Sequence, residues 1–352
     1  MIRRTVSDIG FITARQEAVT AMANGQEHTF EHDGLVSGLL LDGRGGAREV
    51  AWPEIQHWTP ADGVLWVHLN RRADEADHFV RHDAGLDPIV VDALLASDTR
   101  PRMVTHGAGM IVVMRGINLN PGADPEDMIS LRIWIEKRRI ISTRSRRSLA
   151  TRDVQEALER GQGPRDETDC LLALARAVQL RVAHVIDALS DQVDHLEENV
   201  VGGNIATVRD ALPQMRKRTI SLRRHLAPQR ETFTRLQGER HEILDGIDQA
   251  RFRELADETM RFVEELDSVR ERANVIQDEV LNLLTERQNR NSYVLTIVAA
   301  IMLPLSFITS LFGVSLSNIP FSDHPDAFWI LIWALTSLVV LQVAVIRWTR
   351  LL

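Results

Sequence analysis

The sequence predicts an α+β domain that gives way to a helical hairpin, one long stalk helix and two C-terminal membrane spans. Three observations predict it. Residues 34–147 carry short apolar runs, rich in β-branched residues and separated by turn signals, as strands alternating with helices do. From Ser148 onward the chain is almost continuously helix-permissive. Near its C-terminus stand two charge-free apolar stretches, Val294–Phe312 and Ala327–Ile346. Each makes roughly 28–30 Å of helix, the thickness of a bilayer's hydrocarbon core.

Taken in order, residues 1–33 are weakly patterned and read as a tail. Strands are expected at Leu35–Leu41, Val64–Leu69, Met110–Arg115, Ile129–Glu136 and Arg139–Thr143. Helices are expected at Ala73–Ala84 and Pro88–Leu95. Asp42-Gly43-Arg44-Gly45-Gly46 reads as a turn, because no Lys-Ser/Thr follows it as in a phosphate loop. Gly161–Pro164 is a helix break. Thr168–Val201 and Ala206–Leu236 form an antiparallel hairpin about Gly202-Gly203, with a kink expected at Pro228. A final helix, Asp248–Phe312, would be about 100 Å long, so its charged half lies outside the bilayer. The division is a tail (1–33), an α/β domain (34–165), a hairpin (166–245), a stalk helix (246–293), a first span (294–312), a loop (313–326), a second span (327–346) and a terminus (347–352).

Composition narrows the function classes. The chain has 352 residues, 26% of them charged, and a net charge of −8. That balance argues against nucleic acid as a partner. A single cysteine, Cys170, excludes an intrachain disulfide or thiolate zinc cage and fits a reducing compartment. Met1-Ile2-Arg3-Arg4 has no apolar run behind it, so it is not a secretory signal. No catalytic Ser-His-Asp elbow, Walker loop or carboxylate pair can be assigned, so the chain does not read as an enzyme.

Arg287 and Arg290 precede the first span, and Arg347 and Arg350 follow the second. The loop between them has no Lys or Arg. The positive-inside rule therefore places both termini in the cytoplasm. Trp329, Trp333 and Trp348 sit where interfacial anchors belong. Two spans cannot enclose a polar path alone, so the chain is either anchored in the lipid or one subunit of a ring with a shared pore.

One face of the first span bears on that choice. Asn282, Thr285, Asn289, Ser292, Thr296, Ala299, Leu303, Ser306 and Ser310 recur at alternating steps of three and four. Such a stripe is either a packing face of small residues or a wetted path. It continues beyond the bilayer and holds no acid or base, and its one apolar collar is Leu303. Uncharged oxygens with a collar suit a hydrated cation and a gate that closes by dewetting. Glu264, Glu265, Asp267, Glu271 and Asp278 make the stalk acidic, which would concentrate cations, although interleaved arginines also fit a solvated helix.

Two further groups have ligand chemistry. His184, Asp187, Asp191, His195 and Glu198 follow helical spacing that can bind zinc, and an exposed acidic face gives the same pattern. Asp323, His324 and Asp326 in the loop could capture cations if copies gather in a ring. Arg144, Arg146 and Arg147 form a small basic cluster, read as solvated or at a subunit contact.

Several motifs together resemble one family. They are Leu41-Asp42-Gly43-Arg44-Gly45-Gly46, Trp66-Val67-His68-Leu69-Asn70, Thr99-Arg100-Pro101-Arg102, Ser142-Thr143-Arg144 and Arg223-Arg224-His225-Leu226-Ala227-Pro228-Gln229-Arg230. The first span adds Leu303-Pro304-Leu305-Ser306-Phe307 and Leu311-Phe312-Gly313-Val314. This set resembles the CorA metal-ion transporter superfamily, and Phe312-Gly313-Val314 with Ile319-Pro320 resembles its ZntB zinc-transporter branch. The resemblance implies a CorA-like funnel in the bacterial inner membrane: a homopentamer with α/β/α cytoplasmic layers, its first spans lining the pore. It implies no covalently bound cofactor and a transported divalent cation, zinc in this branch and magnesium, cobalt or nickel in relatives. Efflux and proton-coupled uptake are both described for the branch. The family signature at the pore mouth ends in Asn, whereas here it is Gly313-Val314-Ser315. A hydroxyl on a shorter arm leaves a wider ring, so either selectivity differs here, or Asn318 or the Asp323–Asp326 segment takes over part of the role.

Overall fold

The computed structural model describes residues 34–97, 99–313 and 325–348. They fall into two compact units, one ending at Gln277 and one beginning at Asp278. The first unit contains β1 (Leu35–Leu41), β2 (Ala47–Glu49), α1 (Trp52–His57), β3 (Val64–Asn70), α2 (Asp74–His78) and α3 (Pro88–Leu95). It continues with β4 (Arg102–His106), β5 (Gly109–Gly116), β6 (Ile129–Glu136), β7 (Arg139–Arg144), α4 (Leu149–Glu159), α5 (Glu167–Val201) and α6 (Ile205–Gly238). The long helix α7 (Gly246–Gly313) belongs to both units, and α8 (Ala327–Trp348) to the second.

The seven strands form one sheet in the order β2-β1-β3-β7-β6-β5-β4. Neighbours are antiparallel except β3 and β7, which run parallel. Alternation along each strand sends side chains to two cores. Leu65, Val67, Leu69, Ile111, Val113 and Ile141 pack under α1, α2 and α3. Trp66, Val112, Met114, Leu131 and Ile133 pack under α4, α5, α6 and the start of α7. The layers are therefore α/β/α. A third core, with Val182, Ile186, Leu222, Leu226 and Leu266, joins the hairpin to α7. Arg272 of α7 also donates to Glu197 of α5 at 2.8 Å and pairs with Asp194, so part of the charge on this helix is held by the hairpin.

Some expectations change. The helix expected over Ala73–Ala84 is α2 followed by a separate π turn, Phe79–Asp83. Pro213 and Pro228 lie inside α6, a single helix as expected. In the Asp42 turn the side chain of Asp42 itself takes the amides of Arg44 (2.7 Å) and Gly46 (2.9 Å), which hold its carboxyl below the usual range. Gly43 and Gly45 adopt φ of 72° and 105°, which side-chain-bearing residues rarely do. The loop thus supplies its own anion.

Arg144 corrects the reading of the arginine cluster as solvated: it is buried at the end of β7, while Arg146 pairs with Asp127. Beside Arg144, Ser142 Oγ receives Trp66 Nε1 at 2.9 Å and lies 2.8 Å from His68 Nδ1. Burial, then the Arg144 charge, pushes His68 well below its ordinary 6.5, so the ring is neutral. Unfolded chains bind the proton that the folded imidazole refuses, so folding loses stability as pH falls below 6.5. Urea midpoints should fall between about pH 7.5 and pH 5.5, and less so in His68→Asn. Equal slopes in both proteins would remove His68 as the cause.

Candidate functional site

The second unit begins at Asp278 and contains the apolar end of α7 with α8. Both helices are long and apolar enough to cross a membrane. In lipid each backbone group must be paired within the segment, which dictates helix for both. The two faces of α7 differ. Tyr293, Ile297, Ile301, Pro304, Leu305 and Ile308 are partly covered, and so are Leu331, Leu335, Leu338, Val339, Gln342 and Ile346 on α8. At 100° per residue the first set clusters on one side of α7. Asn282, Thr285, Asn289, Ser292, Thr296, Ala299, Leu303, Ser306 and Ser310 are all exposed and centre on the opposite side. The chain's own second span therefore packs against the apolar face and leaves the polar stripe open.

Hydroxyl geometry matters along the stripe. Thr285 Oγ1 donates to Leu281 O at 2.8 Å, and Thr296 Oγ1 to Ser292 O at 2.9 Å. With the proton committed to the backbone, each oxygen keeps its lone pairs for whatever occupies the open face. That arrangement accepts hydrogen bonds from water and attracts cations. Leu303, 69% exposed, is the one large apolar side chain in the row.

The remaining candidates are more scattered. Val314, Ser315, Asn318, Asp323 and His324 lie outside the described residues, and Gly313 closes α7. Asp326 is described, and its carbonyl accepts from Ile330 N at 3.0 Å at the start of α8. His184, Asp187, Asp191, His195 and Glu198 are spread along α5, with His195 Nδ1 3.5 Å from Glu198 Oε2. Among the described residues no three His, Cys, Asp or Glu side chains gather as a metal ion needs. The ladder follows helical periodicity without converging in one protomer. Cys170 is buried, and burial raises its thiol well above the usual range, so it is no thiolate ligand. One residue escaped the sequence reading. Gln342 of α8 places Nε2 3.4 Å from Ala300 O of α7.

Residues 61–347 match the model of the CorA-like Mg2+ transporter protein family. The chain belongs to the CorA-like family. It is 39% identical over 319 residues to the divalent cation transporter CmaX of Pseudomonas aeruginosa, covering 90% of this chain and 94% of that one. It is 33% identical over 299 residues to the zinc transport protein ZntB of Pectobacterium atrosepticum, with 85% and 90% covered. The solved structure of full-length CmaX superposes with a TM-score of 0.79 at 36% identity, covering 92% of this chain and 99% of that chain. The α/β/α layers, hairpin, long helix and two terminal apolar helices are thus the fold of this family.

Proposed function

We propose that the chain is a membrane transporter of divalent cations, with zinc as its cargo. Five copies would form a ring in the inner membrane, with the stripe from Asn282 to Ser310 facing the axis and both termini in the cytoplasm. The observation that carries this reading is the open polar stripe that runs into a charge-free apolar segment, opposite the face that α8 covers. A lipid anchor gains nothing from such a face, because the hydrocarbon core supplies no partners for it. The ZntB and CmaX relatives add zinc and divalent-cation transport as the class of cargo. Gly313-Val314-Ser315 is read as the outer mouth, where a Ser hydroxyl grips a hydrated ion less well than the longer amide of the family signature. Asp323, His324 and Asp326 would collect cations in front of it. Protons are the proposed coupling ion, and no catalytic chemistry is assigned.

Purified protein in liposomes should raise the signal of an enclosed zinc-sensitive dye, and an imposed pH gradient should change the rate. Ser315→Asn in the same assay should alter the order of zinc and magnesium. A trace identical to empty vesicles, with and without the gradient, would sink the reading. A second reading follows from the matching family, whose description names magnesium. Magnesium outcompeting zinc in the same vesicles would favour it.

A further inference from the structure

We infer that Gln342 is a positioning residue for the pore helix, supplying the hydrogen bond that Pro304 removes from it. A proline has no amide hydrogen, so the carbonyl four residues earlier loses its helical donor. For Pro304 that carbonyl is Ala300 O. In water a solvent molecule would replace the donor, but in hydrocarbon the orphaned group costs several kcal/mol. Pro304 and Ala300 lie within the stretch of α7 that is long and apolar enough to cross a membrane.

The donor comes from the other span. Gln342 is 42 residues away in sequence, yet its Nε2 lies 3.4 Å from Ala300 O. It carries the only amide side chain in either apolar stretch, Val294–Phe312 or Ala327–Ile346. Placing an amide there has a cost. Its Oε1 is buried without a hydrogen-bond partner among the described residues, a defect that a leucine would not have. A residue that accepts that penalty is explained if its NH2 group is needed, and the acceptor it bonds is the one that Pro304 vacates.

The position of this bond gives it a role beyond cohesion. Pro304 and Gln342 sit on the covered side of α7, whereas Ala299 and Leu303 sit on the open side. Residues 300–304 form the turn in which a proline loosens the helix. A donor from α8 fixes that turn against the second span and thereby fixes where the Leu303 collar points. Pro304 leaves the turn able to move, and Gln342 decides how far it does. The contact between the spans is independent of cargo, whereas its effect on flux rests on the transport reading above.

The test is a double-mutant cycle in the full-length protein reconstituted in lipid. Gln342→Met keeps the side chain's length and removes the amide. Pro304→Ala restores the backbone N–H, so Ala300 O no longer needs the donor. Alone, Gln342→Met should lower maximal zinc flux about tenfold with little change in half-saturating zinc, and lower the thermal midpoint in nanodiscs. In the Pro304→Ala background the same substitution should change flux less than about twofold and leave the midpoint unmoved. A merely structural glutamine would cost the same in both backgrounds, and that result overturns the inference, as does a wild-type Gln342→Met protein. Should Pro304→Ala fail to assemble, Pro304→Gly restores the N–H as well. The thermal midpoints decide the matter even if no variant carries zinc, so failure of the transport reading is seen separately.

Discussion

Thr296→Leu and Ser306→Leu are each expected to cut zinc flux by more than tenfold without lowering the thermal midpoint or the yield of assembled protein. Both side chains are exposed on the face opposite α8, so leucine meets no atom of the chain's own second span. The substitution is also inexpensive for the fold, since leucine forms helix at least as well as threonine or serine. What changes is the wall of the path. On the proposed transport reading the stripe would hold water through hydroxyl oxygens at these positions, and Thr296 already commits its proton to Ser292 O. Removing one oxygen would lengthen the apolar stretch next to Leu303, and in the proposed ring narrow apolar stretches shed their water. A tenfold loss corresponds to only about 1.4 kcal/mol in the barrier, so several dehydrated contacts exceed it easily. Thr336→Leu is the control. Its hydroxyl is likewise bonded to a backbone carbonyl, Ile332 O at 2.8 Å, but it lies on α8, away from the stripe. Flux within about twofold of wild type is expected there. Equal loss at Thr336 and Thr296 would mean that hydroxyls support the bundle generally and that the stripe is not the path.

How much of this was legible in the sequence depends on where each signal is written. The central strands β5, β6 and β7 are apolar on both faces or strongly β-branched, and composition alone locates them within a residue. The long helices show because Gly202-Gly203 and the break at 161–164 are the few interruptions in a helix-permissive stretch. Strands β2 and β4 were missed. They are the two edges of the sheet, and β4 buries little beyond Met103, so neither carries an apolar alternation. The stripe could be found because all its residues share one helix, whose period converts spacing into direction. Gln342 could not, because its partner comes from another helix and only packing brings them together. A signal did exist. Pro304 in a hydrocarbon span demands a donor for Ala300 O, and the lone amide of the second span was the side chain able to give one. His184, Asp187 and their neighbours show the limit of periodicity: it put them on one helix, and among the described residues they do not converge within the chain.

Arg115→Met is expected to destabilise the first unit by about 3–5 kcal/mol, most of the stability of a marginal domain. Helix α3 ends at Leu95, and the carbonyls of its last turn have no helical donors. The sheet supplies them. Thr143 Oγ1 donates to Leu94 O at 2.7 Å and Arg71 Nη1 to Leu95 O at 3.1 Å. Arg115 serves the next stretch. Its Nε and Nη2 both reach Thr99 O, at 3.1 and 2.7 Å, and Nη1 reaches Met128 O at 2.8 Å. Thr99 and Met128 are 3% and 4% exposed, so water cannot readily take over either carbonyl. A charged donor bond contributes roughly 1.5–3 kcal/mol, and a buried acceptor left bare costs roughly 1–3 kcal/mol. Three bonds to two buried carbonyls therefore sum to several kcal/mol even after the usual discount for relaxation. Arg115→Lys separates geometry from charge. A single ammonium on a narrower head cannot span Thr99 O and Met128 O together, so it should recover less than half of the loss. Urea unfolding of the three proteins at one pH measures both numbers. A lysine variant as stable as wild type would show that the guanidinium fork is not what holds the 99–101 segment to the sheet. Because Arg115 also donates its backbone N–H to Gln229 Oε1 of α6 at 2.7 Å, the same substitution leaves that link to the hairpin intact. The loss is then confined to the α3 side of the sheet, and hydrogen exchange should rise at 96–101 before it rises in the hairpin.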